Sequence, residues 1–287
     1  MEHFLQTPFL EPQEFLRLTA VFFLIIFLRY LMVSGVYHYV FYVLFRPRIA
    51  HRILNLGPTQ SRQLRLEISR SALTSLIFAV SATVLIILWQ HGYTRIYTDW
   101  AAYPWWYHPL SLLIALFLHE TYYYWLHRWM HRPKIYRKVH KWHHDSIETT
   151  SLTSFSFHPT ESFLQAVVVP LFVLFLPMHL YILLFFLVIM TLSGTINHAG
   201  VEIYPGAFAR NPLARWIIGA THHDLHHKQF RFNFGLYFTF WDKWMGTESP
   251  DFERRFEEKT GSSQKRPSSR EKKASPSAGP AANSMNR

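Results

Sequence analysis

The chain has 287 residues, of which 49% are hydrophobic, 17% aromatic and only 16% charged, a composition typical of a membrane protein rather than a soluble domain. It contains no cysteine, which excludes disulfides, thiolate zinc sites, iron–sulfur clusters and thiolate-ligated haem, so any metal must have nitrogen and oxygen ligands. The net charge of +11 does not indicate nucleic acid, because the basic residues adjoin apolar spans, where anionic lipid headgroups attract them.

The first apolar segment covers about residues 16–45, is interrupted by Arg29 and Gly35, and exceeds the roughly 20 residues that cross a bilayer. A stretch rich in arginine, with Glu67 as its single acid, follows this segment. By the positive-inside rule, this stretch is predicted to be cytoplasmic and the N-terminus to lie outside. A second span, about residues 71–89, returns the chain to the outer side.

A third span is predicted to begin near Leu110 and to end before Pro133, because proline disfavours a helical residue ahead of it. Its exit is rich in lysine and arginine, which again indicates the cytoplasm. Two further apolar stretches, residues 163–176 and 178–195, are divided by Pro177, and the first is short for a full crossing. We therefore predict a helical hairpin that dips into the membrane and returns to the side it left.

Thirteen of the 18 histidines lie between positions 119 and 227, and nine of these form three tight clusters. Residues three or four apart share one face of a helix, so each cluster can direct several imidazoles toward one point. Imidazole suits borderline transition metals, and the HxxHH spacing occurs twice, which predicts two metals. The clusters are His127 and His131, then His140, His143 and His144, and finally His222, His223, His226 and His227.

Five further candidates lie near these clusters. Glu120 and Tyr124 precede the first cluster at helical spacing, so they share its stripe and are catalytic candidates, with Glu120 expected to orient a metal-bound imidazole. The alternative for Glu120 is an ion pair with an arginine at the headgroup level. His198 is predicted to be a ligand, and Glu202, four residues later, can share its site. His158 belongs either to the surroundings of the site and the substrate entrance or to the cap of the following helix.

The chain is predicted to have three parts. Residues 1–109 form the N-terminal spans and a basic cytoplasmic loop, and residues 110–250 form the catalytic region. From about Phe252 the sequence lacks hydrophobic periodicity, so residues 251–287 are predicted to be a disordered polar tail. The predicted fold is an all-α membrane bundle of about four spans, including the re-entrant hairpin, capped by a cytoplasmic histidine-rich domain that holds two metals.

Residues 110–247 resemble the fatty acid hydroxylase superfamily of membrane di-metal oxidases, which includes sterol desaturases and sterol methyl oxidases. The three-residue gap between His127 and His131 resembles the sterol desaturases rather than the ceramide fatty-acid hydroxylases. The resemblance implies two irons that activate O2 and attack a C–H bond of a lipid. The motifs that carry it are the three clusters, His158-Pro159-Thr160-Glu161, Asn197-His198, Asn233-Phe234-Gly235 and Trp241-Asp242-Lys243.

The predicted function is hydroxylation or desaturation of a sterol-like or long-chain lipid, with a carotenoid or ether-lipid hydroxylase as the alternative. No dinucleotide or haem-attachment motif is present in the sequence, so electrons derived from NAD(P)H are expected from a separate donor, either a cytochrome b5-type protein or a ferredoxin with its reductase. A metal transporter is disfavoured because its ligands would lie near the bilayer midplane. The expected location is a bacterial inner membrane or the endoplasmic reticulum, and the oligomeric state stays open.

Overall fold

The structure is a computed structural model that describes residues 8–55, 57 and 60–261, and in this part the chain is mostly helical. A π-helix, Tyr39–Leu44, continues the first helix. Two short strands, β1 (Ile96–Tyr97) and β2 (Met178–His179), pair in parallel. The helices are α1 (Pro12–His38), α2 (Arg46–Ile49), α3 (Ser61–Gln90), α4 (Tyr107–Met130), α5 (Pro133–Val139), α6 (Lys141–His144), α7 (Pro159–Ala166), α8 (Val168–Phe175), α9 (Leu180–His198), α10 (Ala220–Gln229), α11 (Phe240–Trp244) and α12 (Phe252–Thr260).

Three helices of the described residues are long and apolar enough to cross a membrane, namely Pro12–Leu44, Ser61–Gln90 and Leu180–His198. The first two contain the predicted spans at 16–45 and 71–89, and α9 contains most of the stretch at 178–195. The third predicted span is helix α4, which is outside this group of three. Its second half carries polar side chains on a buried face, including His119, Glu120 and His127, and these lower its hydropathy.

The histidine clusters all lie at one end of the helical bundle, which we call the histidine end. Helix α4 finishes at the first cluster, and α9 finishes at His198. Helix α1 runs in the same direction, because the Tyr42 hydroxyl beyond its end donates to the Ala199 carbonyl at 2.7 Å. Helix α3 runs the other way, so Thr19 near the start of α1 meets Thr83 near the end of α3, with their hydroxyls 3.0 Å apart.

The predicted hairpin is formed by α7, α8 and α9, and it brings the chain back to the histidine end. Its turn lies at the opposite end of the bundle, beside the connection between α3 and α4. There the Arg95 N–H donates to the Val173 carbonyl at 2.6 Å, and the Met178 N–H donates to the Arg95 carbonyl at 3.2 Å. The hairpin therefore extends through the whole bundle, as far as α3 does.

The prediction of disorder from about Phe252 is wrong for the first residues of the tail, because they form helix α12. Phe256 is 2% exposed, and Phe252 stacks on His222 with ring centroids 3.6 Å apart. Two aromatic residues four positions apart lie on one helical face, so this short segment has the apolar contact that holds it against α10. Residues 262–287 lie outside the described residues.

A buried carboxylate joins α3 to the segment that follows α6. Glu67 is 1% exposed and accepts hydrogen bonds from the hydroxyls of Ser146, Thr150 and Thr153 at 2.7, 2.7 and 2.9 Å, and from Gln63 Nε2 at 2.8 Å. Four donors offset the cost of burying the charge. The residue that appeared in the sequence as the one acid of a basic loop therefore anchors the segment beside the second histidine cluster.

Replacing Glu67 with alanine should destabilise the protein, because two buried hydroxyls and the partly buried hydroxyl of Thr150 lose their acceptor at about 1–3 kcal/mol each. We expect the apparent melting temperature of the detergent-solubilised chain to fall by at least about 5 °C, measured by thermal aggregation and size-exclusion chromatography. Glu14→Ala is the matched control, since within the described part of the chain Glu14 pairs only with the exposed Arg17. Equal melting temperatures for the two variants would contradict the anchoring role.

Candidate metal centre

Nine histidine side chains meet at the histidine end in two adjacent groups, and within each group the ligand nitrogens lie within 4.8 Å of one another. The two groups touch, since the rings of His144 and His227 have centroids 4.4 Å apart. All members are buried except His131, which is partly exposed. Cluster 1 consists of His127, His131, His140, His144 and His226, and cluster 2 consists of His143, His198, His223 and His227.

The two HxxHH motifs each divide between the clusters in the same way. In the first motif, His140 and His144 belong to cluster 1, and His143 belongs to cluster 2. In the second motif, on α10, the pair four residues apart belongs to cluster 2 and His226 belongs to cluster 1. Each HxxHH motif therefore contributes two histidines to one cluster and one histidine to the other.

In cluster 1 the Nε2 atoms point inward and face one another. The Nε2 atom of His127 lies 3.1 Å from that of His140, and the Nε2 atom of His144 lies 3.1 Å from those of both His131 and His226. Cluster 2 has the same arrangement around His198. Its Nε2 atom lies 3.0 Å from that of His143 and 2.8 Å from that of His223, and His223 Nε2 is 3.2 Å from that of His227.

Backbone carbonyls hold the outward nitrogens of three of these rings. A carbonyl oxygen can only accept a hydrogen bond, so the proton of each of these rings is on Nδ1, and Nε2 presents a bare lone pair to the cluster. The pairs are His127 Nδ1 with the Phe234 oxygen at 2.9 Å, His198 Nδ1 with the Gly194 oxygen at 2.7 Å, and His226 Nδ1 with the Phe232 oxygen at 2.7 Å.

Both clusters have the donor chemistry that transition metals require. Desolvation, together with the neighbouring imidazoles, lowers the pKa of His140, His143, His144, His226 and His227 well below the usual value, so these rings are neutral. Neutral lone pairs facing one another at about 3 Å repel unless a cation lies between them. All the ligand atoms are imidazole nitrogens, which suit iron, copper, nickel and zinc but not magnesium or calcium.

The structure adds a carboxylate that the sequence analysis did not select. Glu161 Oε2 lies 2.9 Å from His140 Nδ1, and both side chains are 1% exposed. A carboxylate on the outer nitrogen of a ligand histidine fixes the ring orientation and raises its basicity. Glu161 is part of the motif at 158–161, but a glutamate three residues after a helix cap is also typical of a capping box, so the sequence alone does not indicate its contact with His140.

Glu120 and Tyr124 lie on the predicted stripe of α4 but do not reach the imidazole clusters. The Glu120 carboxylate accepts the backbone N–H groups of Leu236 at 3.0 Å and Tyr237 at 2.7 Å. It thereby fixes the turn whose Phe234 carbonyl holds His127. The Tyr124 hydroxyl is 2.9 Å from that of Thr247. The predicted catalytic role of Glu120 and Tyr124 is therefore corrected to a positioning role, because both side chains contact residues between 232 and 247 instead of the clusters.

His222 is removed from the predicted ligand set. Its ring stacks on Phe252, and its Nε2 lies 3.5 Å from the Glu248 carboxylate, outside both clusters. It precedes His223 by one position, a rotation of about 100° around α10, so its ring points away from the three α10 histidines that belong to the clusters.

Two other candidates cap helices. His158 is the N-cap of α7, and its Nδ1 accepts the Thr160 N–H at 3.2 Å, which is the second of the two predicted roles. The Glu202 carboxylate accepts the Thr221 N–H at 3.0 Å in the first turn of α10, so it stabilises that helix instead of joining His198 as a ligand.

The chain is similar in sequence to known proteins. Residues 112–247 match the model of the family described as Fatty acid hydroxylase. Lathosterol oxidase of Mus musculus is 33% identical over 171 residues, which cover 58% of this chain and 54% of that protein. A Delta(7)-sterol 5(6)-desaturase of Gibberella zeae is 30% identical over 207 residues, 72% of this chain and 61% of that protein. The Delta(7)-sterol 5(6)-desaturase of Candida dubliniensis is 30% identical over 244 residues, 84% of this chain and 60% of that protein.

The chain thus spans between about half and two thirds of the length of these relatives. No solved structure matches it.

Replacing His226 with alanine should remove the metal of cluster 1, because this ring contributes one of its five nitrogens. We expect the purified wild-type chain to bind two metal ions, and His226→Ala to lose the ion of cluster 1, measured by inductively coupled plasma mass spectrometry. His222→Ala is the matched control on the same helix and should keep both ions. A full complement in His226→Ala would remove that residue from the site.

Replacing Glu161 with glutamine should weaken metal binding while leaving every ligand in place. The amide keeps a hydrogen-bond acceptor for His140 but loses the charge, and changes of this kind cost roughly 10–100-fold in metal affinity. The affinity is measured by competition with a chelator. Glu148→Gln, which replaces an exposed carboxylate close in sequence to His144, should bind metal as the wild type does. An unchanged affinity in Glu161→Gln would show that its contact with His140 is only structural.

Proposed function

This chain belongs to the fatty acid hydroxylase superfamily, and from that premise we propose that it is a membrane oxidoreductase that desaturates or hydroxylates a sterol-like or long-chain lipid with O2. The observation that carries the proposal is the pair of adjacent imidazole clusters at one end of an apolar cavity. We assign two irons to these clusters. When bound, the irons supply the activation of O2 and the removal of hydrogen from an unactivated C–H bond.

The residues of the chain hold and orient this centre. Nine imidazoles from four segments supply neutral nitrogen ligands, and the carbonyls and Glu161 behind them fix the rings. Glu120 and Glu202 act one layer farther out, by fixing the turn at 233–237 and the first turn of α10. None of these side chains needs to act as a nucleophile.

An apolar cavity of about 250 Å³ leads from the interior of the bundle to cluster 2. Helices α1, α3, α4, α7, α8 and α9 surround it, and its lining includes His198, one of the cluster 2 ligands. Phe22, Leu85 and Leu184 line it farther from that end. A lipid can enter this space from the membrane, and the apolar walls exclude the water that would otherwise react with a strong oxidant.

Desaturation of a sterol-like lipid is the preferred form of the proposal. The relatives described above carry the names lathosterol oxidase and Delta(7)-sterol 5(6)-desaturase, and the spacing of His127 and His131 also resembles that of sterol desaturases. Hydroxylation stays within the proposal because both reactions begin by removing the same hydrogen. A carotenoid or ether-lipid substrate is the alternative that product analysis separates.

We further propose that the histidine end faces the cytoplasm, in a bacterial inner membrane or the endoplasmic reticulum. The basic residues around α5 and the segment between α1 and α3 support this orientation by the positive-inside rule. A metal transporter fits less well, because the clusters lie together at one end of the bundle instead of along a path through it.

Electrons are assigned to a separate donor, a cytochrome b5-type protein or a ferredoxin with its reductase, with NAD(P)H as their source. His131, the one cluster member that is not buried, lines a surface depression of about 710 Å³ together with Tyr136, Phe230 and Arg231. A donor that docks there comes within reach of a ligand of cluster 1.

Replacing His143 with alanine should abolish lipid oxidation, because cluster 2 beside the cavity loses one of its four nitrogens. We expect no lipid product above background in cells that express this variant, although the protein is still inserted in the membrane. The measurement is the lipidome under oxygen, searched for species that have gained one oxygen or lost two hydrogens. His222→Ala should give the same products as the wild type, and turnover by His143→Ala would contradict the proposed centre.

A further inference from the structure

One charged side chain lines the apolar cavity. Arg29 belongs to α1, a helix that is apolar and long enough to span a membrane, and it is the only Asp, Glu, Lys or Arg among the described residues around the cavity. Its Nε atom is buried and has no hydrogen-bond partner within the described part of the chain. The sequence analysis noted it only as an interruption of the first span.

The surroundings of Arg29 do not neutralise it. No ion pair to it occurs among the described residues, whereas Arg17 on the same helix pairs with Glu14 at 3.0 Å. A guanidinium in an apolar cavity is costly unless an anion or other acceptors satisfy its donors, so ionisable side chains within membrane spans usually mark a binding site. The planar set of N–H donors matches the two oxygens of a carboxylate or phosphate.

Arg29 lies toward the metal end of the cavity. Its neighbour Tyr30 donates to the Leu152 carbonyl at 2.7 Å. Two residues farther on, Ser154 faces Gly194, whose added Cβ would lie 4.0 Å from the Ser154 Cβ. Gly194 in turn is one helical turn before His198 on α9. The other lining residues of α1, Phe22, Ile25 and Ile26, precede Arg29 and lead toward the opposite end.

We propose that Arg29 binds the oxyanion of an amphiphilic lipid, a carboxylate or a phosphate, whose apolar part lies along the cavity toward Phe22 and Leu184. This inference rests on the proposed function only in taking the cavity as the lipid site. Among the sterol-like and long-chain lipids of the proposed function, it narrows the substrate to those with an acidic group at one end. Because Arg29 and His198 both lie toward the same end of the cavity, it also places the oxidised carbon near the polar end of the lipid, not at its tail.

The test is equilibrium binding to the purified, iron-loaded full chain in detergent, at a pH where oleate is ionised. The probes are oleate, oleyl phosphate and oleyl alcohol, which share one apolar chain and differ in the head. We expect the wild type to bind at least one of the two anions roughly tenfold or more tightly than the alcohol. Whichever anion binds more tightly identifies a carboxylate or a phosphate as the natural head.

Arg29→Met should lose this preference, and Arg29→Lys should keep a reduced one. Arg17→Met, which removes a charge from the same helix outside the cavity, should behave as the wild type does. Iron content is measured on every variant to show that the clusters are intact. The inference is overturned if the wild type binds the alcohol as tightly as both anions, or if Arg29→Met keeps the full preference.

A second measurement uses only the wild type, in case Arg29→Met does not fold. A photoreactive fatty acid should label the peptide that contains residues 22–29, and excess oleate or oleyl phosphate, but not oleyl alcohol, should prevent the labelling. Labelling only outside the residues that line the cavity, or equal protection by the alcohol, would refute the assignment. Since binding is measured without turnover, a chain that binds anions through Arg29 but oxidises no lipid would refute the proposed function alone.

Discussion

The structure depends on how the outer nitrogens of the histidines are held. Backbone carbonyls of residues 194, 232 and 234, which can only accept, bind Nδ1 of three rings, and the carboxylate of Glu161 lies against a fourth. Each of these contacts directs Nε2 inward, and burial keeps the rings neutral. The inward lone pairs converge from four segments that are distant in sequence, so the ends of α4, α9 and α10 and the α5–α6 segment must meet at one place.

Buried acids organise this end of the bundle without being ligands. Glu67 ties α3 to the segment after α6, Glu120 holds the turn at 233–237, Glu202 binds the first turn of α10, and Asp242 accepts the N–H groups of Phe234 and Gly235 at 2.9 Å each. Each carboxylate receives at least two hydrogen bonds, which offset its desolvation. The clusters are therefore surrounded by a layer of buried carboxyl groups that hold backbone segments in position, while the clusters themselves consist of histidine alone.

Much of the site could be predicted from the sequence, because helical spacing and residue type are local properties. Nine of the ten histidines predicted as ligands come together, and only His222 does not, since one position on a helix turns a side chain away by about 100°. The contacts of Glu161 with His140 and of Glu120 with Tyr237 join segments 21 and 117 positions apart, and no local pattern indicates such partners. The sequence does not predict helix α12 for the same reason, because Phe252 becomes partly buried and Phe256 buried only through packing that involves the distant helix α10. Hydropathy indicated the spans, but the depth of the hairpin follows from its pairing with the α3–α4 connection.

The division of each HxxHH motif between the clusters has a mechanical consequence. His143 and His144 are consecutive residues, so the backbones that carry a ligand of each cluster are about 3.8 Å apart at their Cα atoms. Because both rings are carried by the short helix α6, a rotation of this helix that moves the His143 ring into cluster 2 moves the His144 ring out of cluster 1. The peptide bond between the two residues therefore restricts the distance between cluster 1 and cluster 2, and neither cluster can change its geometry independently of the other.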